Sequence, residues 1–163
     1  MKIQPSIWIA PLLLTLGREA AIACEPLPVV GGTGTTQIKT VSMPSVPFLP
    51  FLPFVSIQNN WNTDFVVPGG QPFRRFRATN VPEQKVRYDI QVNLKYADGT
   101  HDQSFQQSVD LQPGQTFAVE AVPRANNVPF QVNVLVGGVE QAIDTTYRLT
   151  AYGCLQERQG LHR

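Results

Sequence analysis

The sequence predicts an all-β protein: an antiparallel, immunoglobulin-like β-sandwich of about seven strands, preceded by a signal peptide and a Pro/Gly-rich arm. Three observations lead there. From residue 54 to residue 151, apolar and polar residues alternate with a period of two, the period of a strand with one buried face. Turn-forming pairs such as Pro68-Gly69, Asp98-Gly99, Pro113-Gly114 and Gly137-Gly138 separate the alternating runs. No stretch carries the 3.6-residue repeat of a long amphipathic helix. An eight-stranded jelly roll is the second architecture that fits this pattern.

The first alternating run extends from Phe54 to Val67, with Val55, Ile57, Trp61, Phe65 and Val67 on one parity. Asn59 and Thr63 interrupt the apolar face, which implies a bulge or bend near Asn59-Asn60. Phe73 to Thr79 forms the second strand. The third is the clearest: Val86, Tyr88, Ile90, Val92, Leu94 and Tyr96 face one way, and Arg87, Asp89, Gln91, Asn93 and Lys95 the other. Asp98-Gly99 suits a type I′ hairpin turn, and the return strand carries Phe105, Val109 and Leu111. Three further strands follow, through Phe117 to Ala121, Phe130 to Val136 and Tyr147 to Ala151. The β-sandwich domain thus covers residues 54–154, with a polar tail at 155–163.

The N-terminus reads as an export signal. Lys2 supplies the positive start, Ile7 to Leu16 an apolar core of ten residues, and Ala21-Ile22-Ala23 a small-residue cleavage site. Ten residues rise about 15 Å as a helix, half the thickness of a bilayer, so the run does not span one. Residues 1–23 are therefore the expected signal peptide. Their removal takes Lys2, Arg18 and Glu19 from a chain of 13 basic and 12 acidic residues and leaves a formal charge of zero. A sparsely charged, neutral surface does little to oppose self-association, and the export signal and neutral total argue against a nucleic-acid partner.

Two cysteines in an exported chain allow one intramolecular bond, Cys24 with Cys154. The alternative is a lipid on Cys24, which follows Ala21-Ile22-Ala23 in loose likeness to a bacterial lipobox. A membrane is an expected partner only in that case.

Residues 24–53 read as a linker ending in a strap. Pro26, Pro28, Gly31, Gly32 and Gly34 break any periodicity, and the repeat Val46-Pro47-Phe48-Leu49-Pro50-Phe51-Leu52-Pro53-Phe54 follows. Proline at every third residue favours polyproline II, whose period is also three, and aligns Phe48, Phe51 and Phe54 along one edge. Such a segment packs on its own domain or docks on a partner.

Two constellations could bind a ligand. Trp61 with Asn59, Asn60 and Asn62 resembles a sugar platform, although its parity also suits a core tryptophan. Arg74, Arg75 and Arg77, with Lys85 and Arg87 beyond, form a basic patch or a charged edge strand. Asp98, His101 and Asp102 are too few for a calcium site, and no nucleophile elbow accompanies His101 and Ser104. Asp64, Asp89 and Glu120 occupy outward strand positions, as a solvated face would. The expectation is an exported, non-enzymatic β-sandwich without cofactor or metal. It would serve as a structural or interaction module of the cell surface or periplasm, with a protein partner or self-association. The alternative is a carbohydrate-binding module acting through Trp61 or the arginine-rich face.

Overall fold

The computed structural model describes residues 23–45, 59–138 and 140–155. Among the described residues nine strands form: β1 (Ala23–Pro26), β2 (Thr36–Thr40), β3 (Asn62–Val66), β4 (Phe73–Pro82), β5 (Val86–Lys95), β6 (His101–Leu111), β7 (Phe117–Ala121), β8 (Gln131–Gly137) and β9 (Thr146–Leu155). A three-residue helical turn, Glu140–Ala142, lies between β8 and β9. The expected signal peptide up to residue 22, the strap residues Phe48, Phe51 and Phe54, the start of the first alternating run and the tail from 156 lie outside the described residues.

The pairing is nested. β1 and β2 are two halves of one interrupted strand, and both pair with β9. Then β3 pairs with β8, β4 with β7, and β5 with β6. This is one long hairpin with its tip at the β5–β6 turn. The hairpin is folded over on itself, which adds the ladders β4·β9 and β5·β8. Two antiparallel sheets result, β1/β2-β9-β4-β7 and β3-β8-β5-β6. That is the order of a jelly roll, not the immunoglobulin order expected from the sequence, in which consecutive first strands are neighbours. Alternation fixes which face of a strand is buried; it carries no information about which strand lies beside which.

The arm read as a linker supplies the outermost strand. Residues 27–35 leave the first sheet after β1, cross to the second and return as β2. In crossing, Pro28 O accepts from Val66 N at 2.8 Å and Val30 N donates to Asp64 O at 2.9 Å, so the arm covers the free edge of β3. Leu27 and Val29 are buried in the crossing, and Val41 is buried after β2, where it bonds to Asp144 and Thr145. Strand halves of four and five residues, broken by Pro and Gly, leave too short a pattern to read.

Between the sheets lie the inward residues of β5 with Phe65, Phe76, Val134, Leu149 and Ala151. Tyr88 and Tyr147 meet edge to face at 5.6 Å, and Phe73 and Phe76 at 5.9 Å. Each fully buried Val, Leu or Phe contributes about 1.5–3 kcal/mol at most. Two bulges adjust the pattern. One between Phe73 and Arg75 in β4 turns both Arg74 and Arg75 outward, where strict alternation would put Arg74 opposite Arg75.

The Asp98-Gly99 turn differs from the expected type I′. Gly99 has φ +81°, but the positive-φ non-glycine residues are only Asn126 and Asp144 among those described. Tyr96 O accepts from Gly99 N and Tyr96 N donates to Thr100 O, the pattern of a type I turn followed by a left-handed glycine. Asp98 is held by its own Oδ1, which accepts from Thr100 N at 2.9 Å.

Cys24 and Cys154 stand opposite each other in the β1·β9 ladder and form a disulfide. The bond closes the mouth of the long hairpin. It also occupies the sulfur that a lipid on Cys24 would need.

The molecule has two poles. Loops 67–72, 96–100 and 122–130 and the strand ends Ala23 and Leu155 share one. Turns 83–85 and 112–116, residues 138–145 and the ends of the 41–61 connection share the other. A ten-residue strand such as β4 separates them by about 30 Å.

Candidate ligand-binding site

The outer face of β3-β8-β5-β6 is lined by polar side chains in register. Asp89 lies between Ser108 and Gly137, and Gln91 between Gln106 and Leu135. Asn93 lies between Gln103 and Asn133. At the pole where β3 begins, this face holds a cleft of about 440 Å³ walled by Trp61, Leu135, Asp89, Gln91, Gln106 and Ser108.

Two glycines make the cleft. A methyl group on Gly137 would sit 2.6 Å from the indole of Trp61, so the ring lies directly on the β8 backbone. Gly138 has φ +85°, and a side chain there would come within 2.7 Å of Asp89. The indole and the carboxylate can flank one space only because both positions lack a Cβ. Trp61 is then fixed from the arm: its Nε1 donates to Ser42 O at 2.9 Å.

The asparagines expected beside the indole as ligand groups are structural instead. Asn60 Oδ1 accepts from Ser42 N and Ser42 Oγ, both at 2.9 Å, and its Nδ2 donates to Thr40 O at 2.8 Å. Asn59 Oδ1 accepts from Trp61 N. Asn62 Oδ1 accepts from Asn133 Nδ2. Lys39 donates to the carbonyls of Asn60 and Asn62; partial burial lowers its pKa, against the opposing pull of Asp64.

The groups that do face the cleft come from the β5–β6 hairpin. Ser108 Oγ donates to Asp89. Gln91 Nε2 donates to Asn93 Oδ1 and Gln103 Oε1, each at 3.0 Å, which leaves its carbonyl oxygen for another partner. Beneath them runs a chain of amides. Asn93 donates to Asn133, Asn133 to Asp64 at 2.8 Å, and Lys95 to Asp64 at 2.9 Å. A connected polar network of this kind holds a sheet face rigid. Asp89 is the only charged residue lining the cleft among the described residues.

Arg74, Arg75 and Arg77 lie on the other sheet, so the tryptophan and the arginines do not form one site. Glu120 of β7 stands between Arg77 and Arg75, bonded to the first and 3.9 Å from the second. That acid, forty-three residues from Arg77, divides a patch that looks purely basic in sequence.

Asp98 and Asp102 belong to a clasp with Arg124, whereas His101 pairs with Lys95 at the start of β6. Arg124 Nε and Nη2 reach both oxygens of Asp102, and its guanidinium stacks on Tyr96 at 4.2 Å. Hydrogen bonding from Arg124 holds Asp102 below the usual carboxylate range, and hydrogen bonding from Thr100 does the same for Asp98.

Compared with known protein families and with curated proteins, the chain matches none. The site therefore stands on its geometry. Sequence reasoning did not single out Gln91, Gln106, Ser108 and Leu135, which line the cleft, and read Asp89, which lines it with them, as a solvated position. Their outward parity was readable, but their meeting in one cleft depends on strand order.

Proposed function

We propose that this chain is an exported, non-enzymatic β-sandwich binding module that holds a neutral glycan on the outer face of β3-β8-β5-β6. One observation carries the reading: an indole laid on a glycine backbone beside a carboxylate and two amides in a single cleft. A sugar ring presents an apolar C–H face and a rim of hydroxyls. The first buries against Trp61 and Leu135. The second matches Asp89, Gln91 and Gln106, which between them accept and donate. Among the described residues, the cleft has no cation to attract a sulfate, phosphate or uronate. It also has one carboxylate, whereas glycoside hydrolysis uses two held about 5–9 Å apart.

A glycan array probed with the mature chain tests this. Binding is expected to neutral oligosaccharides, to be lost in Trp61→Ala and Gln91→Ala with the β spectrum unchanged, and to survive Arg74→Ala. Binding confined to acidic glycans and abolished by Arg74→Ala and Arg77→Ala would move the site to the opposite sheet. Export has its own readout: the mature protein should begin at Cys24 and weigh two hydrogens less than the reduced chain.

A further inference from the structure

We propose that copies of this chain join head to tail, the Pro-Phe strap of one copy seating in an apolar groove at the far pole of the next. The groove has a volume of about 410 Å³ and runs between the 67–72 loop and the segment Val128–Phe130. Val67, Pro68, Pro72, Val128, Pro129 and Phe130 line it, and among the described residues no charged side chain does. Phe130 is 50% exposed and Val128 47%. Its walls are built into the ladders: Val67 N donates to Phe130 O at 2.9 Å, and Phe130 N to Lys95 O at 3.0 Å. Large apolar side chains held open in a fixed groove mark a docking surface.

The occupant is written in the same chain. Grooves lined by aromatic and proline side chains accept polyproline II segments that present apolar groups at intervals of three. Pro47, Pro50 and Pro53, each followed by phenylalanine, make such a segment. It is tethered at the opposite pole, where Ser42 and Asn60 bond to each other. From Trp61 to Val67 is six residues of extended chain, about 20 Å. The tethers Ser42 to Phe48 and Phe54 to Asn60 also span about 20 Å when fully stretched. To lie along its own groove, a segment about 19 Å long would need both tethers drawn out to their whole length at once. A neighbouring copy has no such limit. The two surfaces differ, so the contact is heterologous and propagates as a ring or a filament. Removal of residues 1–23 leaves no net charge to oppose it.

Sedimentation velocity of the mature chain over a range of concentrations is the test. The wild type is expected to form species that grow with concentration. A strap variant (Phe48→Ser, Phe51→Ser, Phe54→Ser) and a groove variant (Val128→Asp, Phe130→Asp) should each be monomeric with the wild-type β spectrum. Mixed in equal amounts, the two should form pairs and nothing larger, because each pair contains one intact strap on one intact groove. A synthetic peptide of residues 44–58 should bind the strap variant and not the groove variant; if the groove variant misfolds, Phe130→Ser replaces it. A wild type that stays monomeric, variants that still assemble, a mixture that stays monomeric, or a monomer whose strap binds lipid vesicles instead would each overturn the proposal.

Discussion

Replacing Gly137 with alanine probes the site where it is most tightly built. The added methyl would lie 2.6 Å from the Trp61 ring, whereas carbon atoms in contact sit about 3.5–4.0 Å apart. The indole must therefore move by about 1 Å. That movement stretches the Nε1–Ser42 O bond from 2.9 Å beyond hydrogen-bonding range. The bond contributes about 1 kcal/mol, and overpacking adds about 1–3 kcal/mol, for a loss of roughly 2–4 kcal/mol. With a urea dependence of about 1–3 kcal/mol per molar, the midpoint should fall by roughly 1–4 M. The chain has two tryptophans, and Trp8 leaves with the expected signal peptide. Trp61 emission in the mature protein then reports the cleft alone, and it should shift to the red and stop responding to glycan. Gly34→Ala is the control, because nothing lies within 4 Å of the new methyl. If Gly137→Ala keeps the wild-type midpoint and emission, the indole does not lie on the β8 backbone and the cleft is not as described.

Reduction, or Cys24→Ala with Cys154→Ala, releases a link across 130 residues; chain entropy puts the loss near 5 kcal/mol as an upper figure, and urea unfolding with and without reductant measures it. An unchanged midpoint would mean that the arm is held without the bond. The Arg124 clasp gives a pH dependence. Hydrogen bonding holds Asp98 and Asp102 below the ordinary carboxylate range in the folded chain, so their contribution is complete above that range and is lost as pH falls through the depressed values. Arg124→Ala should lower the melting temperature at pH 7 more than at pH 3; an equal loss at both would assign the role to stacking on Tyr96.

Much of the fold was legible because burial imposes a period. β5 alternates in sequence from Val86 to Lys95, and its burial follows that alternation except at Asn93, which is covered by its amide neighbours on the outer face. The arm was not legible, since β1 and β2 derive their place from β9 rather than from any pattern of their own. Strand order was equally hidden: a jelly roll and an immunoglobulin sandwich bury the same parities, and the difference lies in which loops cross between sheets. The site suffered from both gaps. Trp61 was singled out for its chemistry, but its asparagine neighbours turned out to brace the arm, and the groups that face the cleft arrive from β5, β6 and β8 through pairings between residues up to 48 positions apart, such as Asp89 with Gly137.

The nested pairing also explains why this cleft depends on a distant disulfide. In a folded-over hairpin the tip pair β5·β6 closes a short loop, and each pair outward closes a longer one, with the greatest entropic cost at the mouth. The Asp89, Gln91, Gln106 and Ser108 side chains belong to the tip and form with it. Trp61 does not: its indole is held by Ser42 O, and Ser42 follows β2, which belongs to the mouth. The site is complete only when the least favourable pair of the fold has formed. Cys24–Cys154 lies in that pair, so it stabilises the one strand whose loss would free the indole while leaving the amide face intact. Glycan affinity should therefore fall on reduction before the β spectrum changes.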